Sequence, residues 1–246
     1  MSASQIRRTL LAVMAGAFVA SPAFAETVRG NGVMRTEARA VSGFTGVGLG
    51  IAAKVEVRMG ATEGISIEAD ENLLPLIETT VKRGELEIKA ARYNLNLDSR
   101  KIRIVVNAKQ IDQLDIGGSG SITADSVKGQ KLTLDIGGSG SIDVKRADVE
   151  KVSVSIGGSG DVKIGGGSAK RLNINIAGSG DTDLRGLLTD EVDINIAGAG
   201  DAVVAARNSI SVLIAGSGSV QYYGDPAIKQ TVLGSGRVKR LGALPQ

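Results

Sequence analysis

Ile116-Gly-Gly-Ser-Gly120, Ile136-Gly-Gly-Ser-Gly140, Ile156-Gly-Gly-Ser-Gly160, Ile176-Ala-Gly-Ser-Gly180, Ile196-Ala-Gly-Ala-Gly200, Ile214-Ala-Gly-Ser-Gly218 and Val232-Leu-Gly-Ser-Gly236 recur through the second half of the chain. Counted on the Ser/Ala position, the steps are 20, 20, 20, 20, 18 and 18 residues. Before each of these corners the chain alternates. Leu132, Leu134 and Ile136 fall on one face and Thr133 and Asp135 on the other, and Leu172, Ile174 and Ile176 against Asn173 and Asn175 repeat the pattern. A period of two marks a half-buried strand. A second alternation follows each corner, with Ile142 and Val144, or Val162 and Ile164, facing inward. One repeat is strand, tight corner, strand and a variable return.

A unit this short cannot bury enough apolar surface to offset the entropy of ordering it. Stacking identical units gives each strand a parallel partner above and below at about 4.8 Å and makes one continuous core. The sequence therefore predicts an all-β chain: a right-handed parallel β-helix, or β-solenoid, with coils of 20 residues and a mixed-β N-terminal cap. Equivalent residues should lie over one another. Gly120, Gly140, Gly160, Gly180, Gly200, Gly218 and Gly236 then form one structural corner column and Gly117, Gly137 and Gly157 another. Both are expected to need the close backbone approach or the dihedrals that glycine allows, which accounts for 34 glycines in 246 residues.

Residues 26–110 carry no such corner and read as the N-terminal cap and first irregular coils, ahead of regular coils over 111–240 and a tail at 241–246. Lys54 to Met59 and a strand holding Ile65 and Ile67 read as a hairpin-like pair across Gly60 to Gly64. Asn72 to Leu76 reads as a short helical turn, because Pro75 is tolerated early in a helix. Val81 to Ile88 reads as strand, turn, strand. A solenoid end needs such a cover, since an open coil presents unpaired strand edges.

Composition removes several classes of function. The chain has no His and no Cys, which excludes a Ser-His-Asp triad, a cysteine nucleophile and zinc sites of the usual ligands. At the N-terminus, Arg7 and Arg8 precede an apolar run from Leu10 to Ala20, and Ser21-Pro22-Ala23-Phe24-Ala25 ends in a small-x-small pattern. Residues 1–25 thus read as a signal peptide with cleavage after Ala25, placing the mature chain in the periplasm or outside the cell. That segment holds two of the 29 Lys+Arg and none of the 26 Asp+Glu, so the mature chain has 27 basic residues against 26 acidic. A nucleic-acid surface is not expected, nor an integral membrane span, because no second apolar run is long enough.

Val41-Ser-Gly-Phe-Thr-Gly-Val-Gly-Leu-Gly-Ile-Ala-Ala-Lys-Val-Glu-Val57, then Asn72-Leu-Leu-Pro75 and Gly84-Glu-Leu-Glu-Ile88, followed by the Gly-Ser-Gly repeats, resemble the head GIN domain family. The resemblance covers residues 33 to 238. It implies an exported bacterial protein of the kind named auto-transporter adhesin heads, with a β-helix-like fold and no catalytic residues. Only Leu241 to Gln246 follow the repeats, so no outer-membrane barrel is expected in this chain.

The outward side of the strand before each corner is the candidate binding surface: Thr133 and Asp135, Ser153 and Ser155, Asn173 and Asn175, Asp193 and Asn195. Gln113 and Asp115 precede them, and Ser211 and Leu213 follow. Amides and hydroxyls at fixed spacing hydrogen-bond sugar hydroxyls, and Asn and Ser ladders also stabilise stacked strands by themselves. The expected partner is a polysaccharide or an envelope protein, no cofactor is expected, and the oligomeric state is open. Gly157 to Asp161 is similar to a calcium-binding nonapeptide, with Asp161, Asp181 and Asp201 stacked, but the aspartate falls one residue early and the period is 20, not 9; solvated corner residues are the plainer reading. Asp143, Lys163 and Asp183 should form an alternating-charge ladder. Gly48 to Ala53 is a fragment of a dinucleotide fingerprint, but a strand follows where a helix is required, so it reads as a turn. Three functions fit: a non-enzymatic envelope or adhesion module, a self-assembling structural protein, and a β-helix polysaccharide-degrading enzyme using acids such as Asp115 and Asp135. The last lacks a long loop to build a cleft.

Overall fold

A computed structural model of the chain describes residues 26–98 and 101–245. The expected signal peptide, 1–25, lies outside the described residues. From residue 113 onward the chain winds as a β-solenoid. Ser121–Ile136 lies parallel on Ser141–Ile156 at a constant offset of 20 residues, from Ser121 on Ser141 to Ile136 on Ile156. Asp161–Ile164 and Gly167–Gly178 continue the stack, then Asp181–Gly198 and Asp201–Gly216. Ser219–Tyr223, Ala227–Gly234 and Arg237–Gly242 complete it. Where the step shortens to 18, the pairing slips between Leu184 and Leu188 and again between Thr189 and Glu191. The corner and its two flanking strands keep their geometry, and the return absorbs the missing residues.

The inward positions close into one core. Ile116, Ile136, Ile156, Ile176, Ile196 and Ile214 stack in a single column, each at most 2% exposed. Aliphatic side chains of the second strand, Ile122, Ile142, Val162 and Val204 among them, are buried opposite. This is the expected period-2 burial, now on two faces of each coil.

The corner extends the hydrogen-bond ladder instead of interrupting it. Gly137 N–H donates to the Ile116 carbonyl (2.8 Å), Ser139 to Gly118 (3.1 Å) and Ser141 to Gly120 (3.1 Å), and the next coil repeats the set. Backbone therefore sits directly on backbone. A Cβ at Gly140 would lie 2.6 Å from Ile116 Cγ2 and 2.7 Å from the Gly120 oxygen, and at Gly160 the same contacts would be 2.5 and 2.6 Å. The Gly117, Gly137, Gly157 column behaves otherwise. The nearest atom to a Cβ at Gly157 is 3.8 Å away, at Gly137 3.9 Å, and nothing crowds Gly117. That position points into solvent, and Ala177, Ala197, Ala215 and Leu233 occupy it in later coils. The second crowded column is instead Gly118, Gly138, Gly158, Gly178, Gly198, Gly216 and Gly234, where from Gly138 on a Cβ would strike the carbonyl one coil below. Gly178, Gly198, Gly216 and Gly234 also have φ of 142°, 143°, 140° and 132°, which disfavours any L side chain.

The N-terminal part departs from the expected hairpin. Lys54–Met59 and Gly64–Asp70 do not pair with each other, because Arg103–Ala108 lies between them, parallel to the first and antiparallel to the second. Lys54–Met59 pairs on its other side with Ser121 to Ala124. On the adjoining face Gly46–Leu49 sits between Glu85–Ala90 and Gln113–Ile116. The coil of residues 46–59 is thus enclosed by coils that come later in the chain. Alternation states which face a strand buries but not which neighbour it takes, so this order was invisible to periodicity. The expected strand-turn-strand is present: Ile77–Lys82 pairs antiparallel with Glu85–Ala90 across Arg83 and Gly84, both at positive φ (53° and 83°), as a two-residue hairpin turn requires. Pro75 lies in a 3-10 turn, Leu74–Leu76, as expected. Arg39 ties that turn down, donating to the Ile77 carbonyl (2.6 Å) and the Leu74 carbonyl (2.9 Å). No helix among the described residues is long and apolar enough to cross a membrane.

Candidate functional site

The parallel register brings Thr133, Asp135, Ser153, Ser155, Asn173, Asn175, Asp193 and Asn195 onto one outward face, two per coil and half-buried or exposed. Gln113 and Asp115 extend it at one end and Ser211 and Leu213 at the other. Asn195 Nδ2 donates to Asn175 Oδ1 at 3.2 Å, the start of an amide ladder. Among the described residues no ion pair involves Asp135 or Asp193. Charge pairs lie elsewhere on the coils, as in Arg146 with Asp148 (2.7 Å), Lys170 with Glu150 (2.8 Å) and Arg207 with Asp190 (3.1 Å).

Sequence reading missed the wall beside this ribbon. Ser155, Asn175, Asn195 and Leu213 stand next to the small column Gly157, Ala177, Ala197 and Ala215, and the difference in height leaves a groove of about 410 Å³ along the solenoid axis. Ser155, Asn175 and Asn195 edge it with amide and hydroxyl groups, but its accessible lining is mostly aliphatic, from the alanine methyls, Leu213 and the Ile156, Ile176, Ile196 column. The signal was present in the change from Gly to Ala at the first corner position, a change that a glycine-requiring corner would not allow.

Toward the N-terminal end the ribbon turns acidic. Gly46 and Gly48 stand between Glu85 and Glu87 on one side and Gln113 and Asp115 on the other. The Glu85 carboxylate folds over Gly48, into the space a Cβ would fill. Partial burial pushes the Asp115 carboxyl up to about 6; the Gln113 amide, which donates to Asp115 Oδ2 at 2.6 Å, opposes this, and the charges of Glu85 and Asp135 add to it. The turn at Gly48 to Ala53 is structural: Gly50 N–H donates to the Ile88 carbonyl (2.8 Å) and a strand follows.

The aspartate column past the corner has a backbone task. Asp161 and Asp181 are in register, Asp181 Oδ1 accepts the Asp201 N–H (2.9 Å) and Asp201 Oδ1 accepts the Ser219 N–H (2.8 Å). These carboxylates carry the ladder across the corner at Asp201 and Ser219, where the earlier coils use the carbonyls of Gly140 and Gly160. Among the described residues no group of three or more acids converges as a metal site would require. Asp143, Lys163 and Asp183 are aligned, but Asp183 takes Arg185 of its own strand at 2.7 Å.

Stacked coils with a glycine-lined corner and ordered outward columns define a β-solenoid repeat protein. Within that class the comparisons are specific: residues 43–226 match the family described as "Putative auto-transporter adhesin, head GIN domain", and the chain belongs to it. Solved structures share the fold. A "putative adhesin" of Bacteroides fragilis superposes with a TM-score of 0.82 at 22% identity, over 87% of this chain and 100% of that one. A "putative lipid binding protein" of Parabacteroides distasonis gives 0.73 at 25%, over 88% and 100%. A "putative adhesin" of Parabacteroides merdae gives 0.70 at 23%, over 88% and 100%. No curated protein matches the sequence.

Proposed function

We propose that this protein is an exported, non-enzymatic adhesion module of the cell envelope, periplasmic or secreted, which holds an uncharged stretch of polysaccharide along its ribbon. In this reading residues 26–110 serve as the cap and first irregular coils of a single domain. The observation that carries it is the groove of about 410 Å³ between the Ser155, Asn175, Asn195 wall and the Ala177, Ala197, Ala215 wall. Amide and hydroxyl groups at one coil spacing match sugar hydroxyls, and methyl groups take the apolar faces of the rings. Family membership and the adhesin-like fold support the reading. A binding screen of the purified protein against envelope and host polysaccharides, with sedimentation velocity on the same sample, tests it. Saturable binding by a monomer is expected. Absence of binding together with concentration-dependent assembly would replace it with a self-assembling structural role.

A further inference from the structure

The charge of the mature chain is unevenly placed. Residues 26–205 hold 22 basic residues against 25 acidic, whereas residues 206–246 hold five basic residues, Arg207, Lys229, Arg237, Lys239 and Arg240, against Asp225 alone. Arg207 is spent on Asp190 in the coil below, and Arg240 lies 3.8 Å from Asp225. Lys229, Arg237 and Lys239 have no ion-pair partner among the described residues. The register places Lys229 above Ser211 on the ribbon face, and Arg237 and Lys239 above Ser219 and Gln221 on the second-strand face. The excess therefore rings the outermost coil.

A second, independent feature falls on that coil. Leu233 is 63% exposed, Ile228 38% and Leu241 37%, and Leu213, at 43%, lies one coil below. Elsewhere among the described residues only Val33 and Tyr93 are large apolar residues left exposed. Cations mixed with exposed aliphatic side chains are the composition that binds an anionic lipid interface, where the headgroups take the charges and the aliphatic groups enter the acyl boundary.

The inward columns decide between such a surface and an added strand. Ile210, Ile214 and Val220 are followed in their columns by Ile228, Val232 and Val238, but Val212 is followed by Gln230, and Tyr222 by Arg240, which donates to the Gly224 carbonyl at 2.6 Å. A further coil or an extended peptide stacked on this end would bury Gln230 and Arg240 against apolar partners, at a large desolvation cost. A second copy meeting end to end would also set like charges together. A hydrated headgroup layer accepts both residues, with Arg240 keeping its bond to the Gly224 carbonyl.

We propose that the C-terminal end of the solenoid docks on an anionic phospholipid bilayer, standing the coil stack on the membrane with the ribbon free along its side. Co-sedimentation of the purified protein with vesicles of phosphatidylglycerol in phosphatidylcholine, against pure phosphatidylcholine, tests this. Binding only to the anionic vesicles is expected, falling as salt is raised. The pair Lys229→Glu and Lys239→Glu should weaken it by roughly tenfold or more, while the charge-matched pair Lys131→Glu and Lys151→Glu on the flank leaves it near that of the parent. Leu233→Ser should weaken it with all charges in place. Thermal melting of each variant confirms the fold. Failure to sediment with phosphatidylglycerol, equal loss in the flank variant, or binding of soluble polyglutamate but not of vesicles would each overturn the proposal.

Discussion

At the residue scale, adjacent glycines of one corner do different work, and paired substitutions separate them. Gly158→Ala and Gly160→Val place a Cβ against the carbonyls of Gly138 and Gly140 and are expected to cost more than ~3 kcal/mol or prevent folding. Gly157→Ala puts the new carbon 3.8 Å from its nearest neighbour, so its cost should stay within about 0.5 kcal/mol. Chemical denaturation of the three variants checks this, and a Gly160→Val protein that melts with the parent would refute the stacked corner. Asp115 gives a prediction in pH. Its folded carboxyl titrates near 6 instead of 3.8, so the native state binds the extra proton. Stability from this group is therefore full below pH ~4 and is lost as pH rises through about 6. Asp115→Asn should stabilise the protein above pH 7 by on the order of 1 kcal/mol, reduced for the half-exposure of the site, with the gain vanishing near pH 4. Melting curves across that range would show it. The Gly120 to Gly236 column was legible because each coil repeats it. The Gly118 to Gly234 column is not legible in the sequence, because Gly-Gly-Ser-Gly does not state which of two adjacent glycines faces the carbonyl of the coil below.

At the element scale the regular coils follow directly from the text of the chain. Alternation at Leu132 to Ile136 and its copies set which side each strand buries, and the 20-residue step fixed the register. The N-terminal strands were legible one by one but not in their order. Whether Lys54–Met59 meets Gly64–Asp70 or Arg103–Ala108 depends on packing between distant segments, which no local period encodes. The local hairpin at Arg83 and Gly84 was read correctly because its turn chemistry is contained in two residues. The aspartate column is also an element-scale device. Asp201→Ala leaves the Ser219 N–H without its 2.8 Å partner and should cost about 1 kcal/mol, with Asp201→Asn recovering most of it. Calcium should shift neither protein's melting temperature; a clear rise in the parent lost in Asp201→Ala would instead show that the carboxylates hold a cation.

At the scale of the whole molecule the coil stack sorts its surface by charge. The ribbon is acidic at Glu85, Glu87, Asp115 and Asp135, uncharged from Ser153 to Asn175, acidic again at Asp193 and basic at Lys229. The composition, with 27 basic residues against 26 acidic in residues 26–246, conceals that gradient completely. The polar half of the groove was visible as a pattern of Ser and Asn. Its methyl half, Ala177, Ala197 and Ala215, stands in the sequence at the first corner position, but only the folded stack sets it beside the ribbon. In the proposed function this uncharged groove is the seat of a neutral polymer. The most direct test is a calorimetric titration, with the polysaccharide that binds the parent protein, of the variant carrying Asn173→Lys, Asn175→Lys and Asn195→Lys. Loss of measurable binding with an unchanged melting temperature is the expected result, and retained affinity in a folded variant would contradict the assignment of the ribbon as the binding site.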